Sequence, residues 1–296
     1  MSGSNRCRIL RDMSHEQPAP YASGQPTSAP RPAGRIRIGH LAQAKAEGRR
    51  FAMLTAYDQY AASIFEEAGI EVLLVGDSAA NNVMGHATTL PITLEEMGVF
   101  ARSVTAGAKR SLVVCDLPFG SFEASPQLAV ESSVWLMKHT GIHAVKMEGT
   151  ARRADHVRAV VDAGIPVMAH IGFTPQAEHA LGGYKVQGRG DAAARLVEDA
   201  LALEAAGAFC VLLEMVPADV AAAVEAALTV PTIGIGAGAA TTGQVLVWQD
   251  MMGLNPGKLP RFVKKYADLR QVMGQAAAEY HRDVVEGTFP ADEHGF

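Results

Sequence analysis

Cysteine is scarce: only Cys7, Cys115 and Cys210 occur in 296 residues. Two of them lie inside apolar runs and none falls at a metal-ligand spacing. A disulfide framework is therefore not expected, and the chemistry fits a reducing, cytoplasmic compartment. No apolar run approaches the ~20 residues that a membrane-spanning helix needs. Positive charge is also short, with 26 Lys and Arg against 31 Asp and Glu and a net charge of -5. Basic pairs such as Arg152-Arg153 and Lys264-Lys265 stand alone, whereas a nucleic-acid partner requires a basic face. Residues 1–34 lack apolar periodicity and are rich in Pro, Ser, Gly and Ala. Such a segment cannot bury enough surface to offset its ordering entropy, so a disordered extension is expected there. It also lacks the continuous apolar core of a secretory signal.

What remains, residues 35–296, is rich enough in apolar residues to build one large core, with 48% hydrophobic residues over the whole chain. Its texture alternates. Short apolar runs occur at 52–58, 72–77, 111–118, 144–149, 166–172, 209–217, 231–238 and 244–250. They are nearly continuous in Val, Ile and Leu, as strands are when both faces are buried in a parallel sheet. Between them lie alanine-rich segments of helical period. Thr93 with Glu96 makes a capping box, and Ser125-Pro126 places a cap residue before a proline at the first helical position. Helices are also expected over 152–163, 191–206 and 217–227, with a long one over 260–286. Eight strands interleaved with helices predict an α/β fold, a single-domain (β/α)₈ TIM barrel. The irregular point is the seventh connection: Ala239 to Gly243 is too short for a full helix.

The ends of the runs carry ionisable residues. In order these are Asp58, Asp77-Ser78, Asp116, Lys146 with Glu148, His170, Glu214 and Asp250. A barrel gathers the C-terminal ends of its strands on one face, where barrel enzymes keep their active sites. Charged groups inside apolar strands are costly unless paired or bound to a metal. One or two of these residues can serve instead as helix caps. Asp77, Asp116 and Glu148 offer hard oxygen ligands with no thiolate, which suits Mg²⁺ or Mn²⁺. A metal so held stabilises the enolate of a 2-oxo acid. Lys146 adds positive charge, and Glu214 is left as the general base. His170 is read as an auxiliary group or as a core histidine. His139 and His143 are read as surface histidines. Gly234-Ile235-Gly236-Ala237-Gly238 is open between a phosphate site and close rim packing. The glycine-dense stretch 182–190 reads as a loop able to cover the site.

Blocks along the chain carry a family resemblance: LTAYD (54–58), VGDSAANNVMGH (75–86), CDLPFGS (115–121), VKMEG (145–149), AHIGFTPQ (169–176), GGYKVQGRGD (182–191), LEMVP (213–217) and IGIGAG (233–238). In this order they resemble the signature blocks of ketopantoate hydroxymethyltransferase, from about Arg35 to Phe296. The resemblance implies a (β/α)₈ barrel that transfers a hydroxymethyl group from 5,10-methylenetetrahydrofolate to 3-methyl-2-oxobutanoate in pantothenate synthesis. It implies one Mg²⁺ per subunit on Asp77, Asp116 and Glu148. The oxo acid would be held by Asp77, Ser78, Asp116 and Lys146, with Glu214 as proton acceptor. It also implies a homo-oligomer, a decamer. Two departures from the family pattern are Ala87 and Ala177-Glu178-His179. The enzyme alternative is a metal-dependent 2-oxo acid lyase of the isocitrate-lyase type.

Overall fold

The computed structural model describes residues 34–296. The expectation of a disordered extension thus falls, except for Gly34, outside the described residues. Eight parallel strands close into a barrel in sequence order, β1 pairing with both β2 and β8. They are β1 (Phe51–Thr55), β2 (Val72–Val75), β3 (Leu112–Asp116), β4 (Ala144–Glu148), β5 (Val167–Gly172), β6 (Cys210–Glu214), β7 (Thr232–Ile235) and β8 (Gly243–Leu246). The helices are α1 (Ile38–Ala46), α2 (Gln59–Glu67), α3 (Ala79–Asn82), α4 (Leu94–Gly107), α5 (Pro126–Thr140), α6 (Ala154–Asp162), α7 (Glu178–Leu181), α8 (Ala192–Ala205), α9 (Ala218–Ala227), α10 (Trp248–Met251) and α11 (Leu269–Glu286). None of the described helices is long and apolar enough to cross a membrane.

Both expected caps form. The Thr93 side chain accepts from Glu96 N while the Glu96 carboxylate accepts from Thr93 N, and Ser125 accepts from Leu128 N ahead of Pro126.

The strands read as continuously apolar because each faces two different cores. Side chains alternate across a strand. One set packs under the helices, including Val75, Val113, Val145, Ala169, Val211 and Leu213. The other set fills the barrel interior, including Leu74, Val114, Ala144, Met168, Cys210, Leu212, Ile233 and Val245. Ile36, Leu41 and Ala44 join the interior set from the N-terminal segment and α1, plugging the floor beside Phe51.

Three boundaries differ from expectation. Asp58 is not a strand-end site residue. β1 stops at Thr55, and Asp58 caps α2, accepting from Tyr60 N at 2.8 Å and Ala61 N at 2.9 Å. The eighth strand ends at Leu246, so Asp250 sits on α10, although it still lines the barrel mouth. The last helix begins at Leu269, not Pro260. Residues 260–268 are held out of helix by tertiary contacts: Pro260 and Phe262 line the mouth, and Tyr266 N donates to Met251 O. His143 is also no surface residue. It is half-buried, its Nδ1 accepts from Val113 N, and burial first, then Arg35, pushes its pKa down to about 4.

The seventh connection holds no helix, as its length requires. In its place, the Glu225 carboxylate on α9 fastens β7 and β8 from outside. It accepts from Thr232 N at 3.2 Å, from the Thr232 hydroxyl and from Thr242 Oγ1 at 2.7 Å, and it pairs with Lys45 at 3.0 Å. Burial alone would raise its pKa, but these hydrogen bonds and Lys45 bring it below the ordinary value. A depressed folded pKa means stability that is present above the unfolded value near 4.3 and lost as pH falls. We therefore expect Glu225→Ala to lower unfolding stability by roughly 1–3 kcal/mol at pH 7. Denaturant titrations should show that deficit shrinking below pH 4; a variant as stable as the parent at pH 7 would contradict the clamp.

Candidate active site

On four consecutive strands, β3 to β6, the interior column turns from apolar to charged at its C-terminal end. On β4 the inward residues are Ala144, Lys146 and Glu148; on β6 they are Cys210, Leu212 and Glu214. β3 follows with Leu112, Val114 and Asp116, and β5 with Met168 and His170. The two-residue period alone thus stacks the ionic layer on the apolar one. The result is a cavity of about 370 Å³ at the mouth, with Asp77, Ser78, Asp116, Lys146, Glu148, His170 and Glu214 all on its wall. Every residue given a metal, substrate or proton-transfer role from the sequence is brought together here; Asp58 is not.

Lys146 is the hub. Its Nζ lies 2.9 Å from Asp116 Oδ1, 3.7 Å from Glu148 Oε1 and 3.1 Å from His170 Nδ1. Asp77 N donates to Asp116 Oδ2 at 3.0 Å, and Ser78 Oγ shares a 2.8 Å hydrogen bond with Tyr57 Oη. Gly76 permits this crowding, since a Cβ there would stand 2.8 Å from Ser78 Oγ. At the other side of the mouth, His170 Nε2 faces Glu214 Oε2 at 3.4 Å, long for a hydrogen bond.

The charges do not balance. Asp77, Asp116, Glu148 and Lys146 are all buried, three carboxylates to one ammonium. Burial is the main reason the acids are hard to ionise, and their mutual repulsion adds to it. Asp77 and Asp116 are each pushed up to about 6 and Glu148 to about 7, despite the opposing pull of Lys146. For Lys146 burial works against the charge, but Asp116, Glu148 and Asp77 outweigh it and raise its pKa. His170 is shifted the other way, by burial first and then by Lys146, and is neutral at pH 7.

Two carboxylate oxygens, Asp116 Oδ1 and Glu148 Oε1, are buried without a hydrogen-bond partner, although each has Lys146 as an ionic neighbour. Among the described residues, no three His, Cys, Asp or Glu side chains already enclose a common point. The fit to a divalent cation therefore rests on donor chemistry: unsatisfied hard oxygens and a surplus of buried negative charge. Mg²⁺ suits such a place, being held by a few carboxylates while keeping other positions for water or substrate.

Matches to known proteins decide the family. The ketopantoate hydroxymethyltransferase model matches residues 35–292. The chain belongs to that family of transferases. A 3-methyl-2-oxobutanoate hydroxymethyltransferase of Paenarthrobacter aurescens (strain TC1) is 62% identical over 288 residues, covering 95% of this chain and 96% of its own. One from Nocardioides sp. is 58% identical over 291 residues, covering 97% and 99%. Among solved structures, a phosphoenolpyruvate phosphomutase of Streptomyces platensis subsp. rosaceus aligns with TM-score 0.57 at 16% identity, over 84% of this chain and 88% of that one. A 2,3-dimethylmalate lyase aligns with TM-score 0.55 at 17% identity, over 88% and 91%. At those identities the likeness is one of fold. The departures at Ala87, Ala177, Glu178 and His179 lie off the cavity wall.

Two contributors escaped the sequence reading. Gln176, on the turn after β5, touches both Asp77 and Glu148. Tyr57, buried and pushed up to about 12 chiefly by that burial, supports Ser78. Both lie in blocks quoted for the family, but outside the strand ends where charge stood out. The glycine-dense stretch does reach the mouth: Tyr184 lines the cavity, its ring 4.6 Å from that of Phe173.

Raised carboxylate pKa values set a pH dependence of stability. Each folded value exceeds the unfolded value near 4, so folded stability falls as pH rises through about 7. Glu148→Gln removes one of the crowded charges and keeps an oxygen to accept from Gln176 N. Without divalent cation we expect it to melt above the parent at pH 8, by a margin that narrows toward pH 5. Calorimetric scans at both pH values check this, and a lower melting temperature at pH 8 contradicts it.

Proposed function

We propose that this chain transfers a hydroxymethyl group from 5,10-methylenetetrahydrofolate to 3-methyl-2-oxobutanoate, giving 2-dehydropantoate, with Mg²⁺ bound through Asp77, Asp116 and Glu148. The names of the curated relatives support the reaction. The observation that carries the site assignment is the buried carboxylate surplus around Lys146, facing Glu214 across one cavity. A divalent cation held there supplies Lewis-acid stabilisation of charge developing on the keto oxygen. Lys146 adds a fixed ammonium beside that oxygen, and the Ser78 hydroxyl, set by Tyr57, is available to hold the substrate carboxylate.

The proton at C3 needs a base. His170 Nδ1 stands between a donor, Lys146 Nζ at 3.1 Å, and an acceptor, Glu148 Oε1 at 3.3 Å; we take it to accept from the nearer ammonium. The ring proton then belongs on Nε2 and points toward Glu214. His170 in this tautomer has its one free lone pair engaged, which disfavours it as the base. Glu214, whose side chain is 16% exposed against 3% for His170, is the more accessible of the two. Glu214 is also separate from the three crowded acids. Its position is held by the chain: Met215 adopts a left-handed φ of 49°, fixed by Met215 N donating to Ile235 O and Gln187 N donating to Met215 O.

Glu214→Gln keeps the shape and removes the basicity. We expect C3 proton exchange of 3-methyl-2-oxobutanoate in D₂O with Mg²⁺, followed by NMR, to slow about 10²–10⁴-fold. Exchange at the parental rate, with hydroxymethyl transfer lost, would move Glu214 to the second half of the reaction. No C3 exchange by the parent chain would overturn the function itself.

We also propose that it works as a homo-oligomer, a decamer, in the cytoplasm, where its buried free thiols Cys115 and Cys210 suit a reducing medium. α11 has no buried residue, and Val272, Met273, Tyr280, Val284 and Val285 on it are exposed. Five large apolar side chains exposed on one helix suit a subunit contact. Placing charge there, as Val272→Glu with Val285→Glu, should reduce the mass measured by light scattering while circular dichroism stays unchanged. A parent that is already monomeric would contradict the assembly.

A further inference from the structure

Gln176 is nearly buried and sits on the short turn 175–177, between β5 and α7. Its backbone N donates to Glu148 Oε2 at 3.0 Å. Its side-chain Nε2 donates to Asp77 Oδ2 at 3.0 Å and to Leu117 O at 2.9 Å. Both side-chain partners are pure acceptors, so the amide can face them only with its nitrogen. The orientation is thereby fixed, and Oε1 is left buried without a partner. One residue thus ties together carboxylates from β2 and β4, while anchoring itself to the backbone after β3. Gln176 thus contacts two of the three acids, Glu148 by its backbone N and Asp77 by its side chain, while Lys146 pairs with Asp116 and Glu148.

We propose that Gln176 is a positioning residue, which holds Asp77 and Glu148 in the arrangement that receives a divalent cation. Repulsion between these acids would otherwise rotate them apart. Lys146 counters that repulsion by charge but reaches Asp116 and Glu148, not Asp77, at contact distance. The neutral amide does what a second cation would do less well: it aligns Asp77 without cancelling the negative charge that attracts the metal. This inference rests on the proposed metal reading, and the test separates the two.

Gln176→Met keeps the length and removes both polar atoms; because it also takes the donor from Leu117 O and Asp77 Oδ2, folding is checked by circular dichroism. Gln176→Asn keeps the amide but is one methylene too short to span Asp77 and Leu117, and it serves if the Met variant does not fold. Mn²⁺ alone is the probe, titrated into the full-length protein and followed by electron paramagnetic resonance. We expect its dissociation constant to rise about tenfold to a hundredfold in either variant, the scale of a lost hydrogen bond to a charged group, alongside a lower melting temperature from the Leu117 carbonyl left without its donor. A folded variant that binds Mn²⁺ as the parent does overturns the positioning role. A fall in melting temperature with unchanged Mn²⁺ affinity assigns Gln176 to the fold alone and overturns it equally. A parent chain that binds no Mn²⁺ overturns the metal reading as well.

Discussion

Three carboxylates and one ammonium share a space from which water is largely excluded, and the rest of the mouth is arranged around that imbalance. Two unit charges 4 Å apart interact by about 4 kcal/mol at an effective dielectric of 20. One lysine cannot neutralise three acids on that scale, so the acids resist ionisation and their pKa values climb. A flexible scaffold would relieve the strain by letting the side chains swing into solvent. Here they cannot. Asp116 and Glu148 are the last residues of β3 and β4, the Asp116 carboxylate is held by Asp77 N, and the Asp77 carboxylate by Gln176 Nε2. The stored repulsion is what makes the site a good host for a dication.

The barrel supplies that rigidity through a period of two. Inward residues on one strand are separated by two positions, so an apolar floor at Val114, Ala144, Met168 and Leu212 automatically presents Asp116, Lys146, His170 and Glu214 one layer higher. No loop has to find its place for these four to meet. Closure must hold even where the helical coat is missing, between β7 and β8. There the polar clamp of Glu225, Thr232, Thr242 and Lys45 replaces a helix.

This division explains what the sequence made legible. Strand order, barrel closure and the ionic layer follow from local patterns: short Val/Ile/Leu runs, all but the seventh ending near an ionisable residue. Asp58 broke the pattern because an aspartate after a strand is also the preferred residue to start the next helix, and local capping won. Asp250 and residues 260–268 misled for a different reason. Their conformation is set by contacts with the mouth and with α10, which no periodicity encodes. Gln176 was invisible for the same cause. An uncharged amide in a turn carries no signal of its own, and its importance comes from lying within hydrogen-bond reach of acids distant in the chain, 28 residues away for Glu148 and 99 for Asp77.

Fold likeness to a phosphomutase and a lyase at 16–17% identity says that this barrel is a general platform. The chemistry must then be set by what each chain adds at the rim. In this chain the segment after β5 adds the most. Gln176 reaches down to the acids, and a few residues later Tyr184 stands over the same cavity against Phe173. The segment then returns to the site, where Gln187 N caps the carbonyl of Met215, the strained residue that follows Glu214. One stretch of chain therefore touches the acids, the entrance and the turn that carries the base. A left-handed non-glycine residue costs on the order of 1 kcal/mol or more, and this one persists because β7 and the segment after β5 both hold it. Orientation of Glu214 is thus coupled to the placement of the same segment that orders Asp77 and Glu148. That coupling ties Glu214 to the buried acids through one segment of chain.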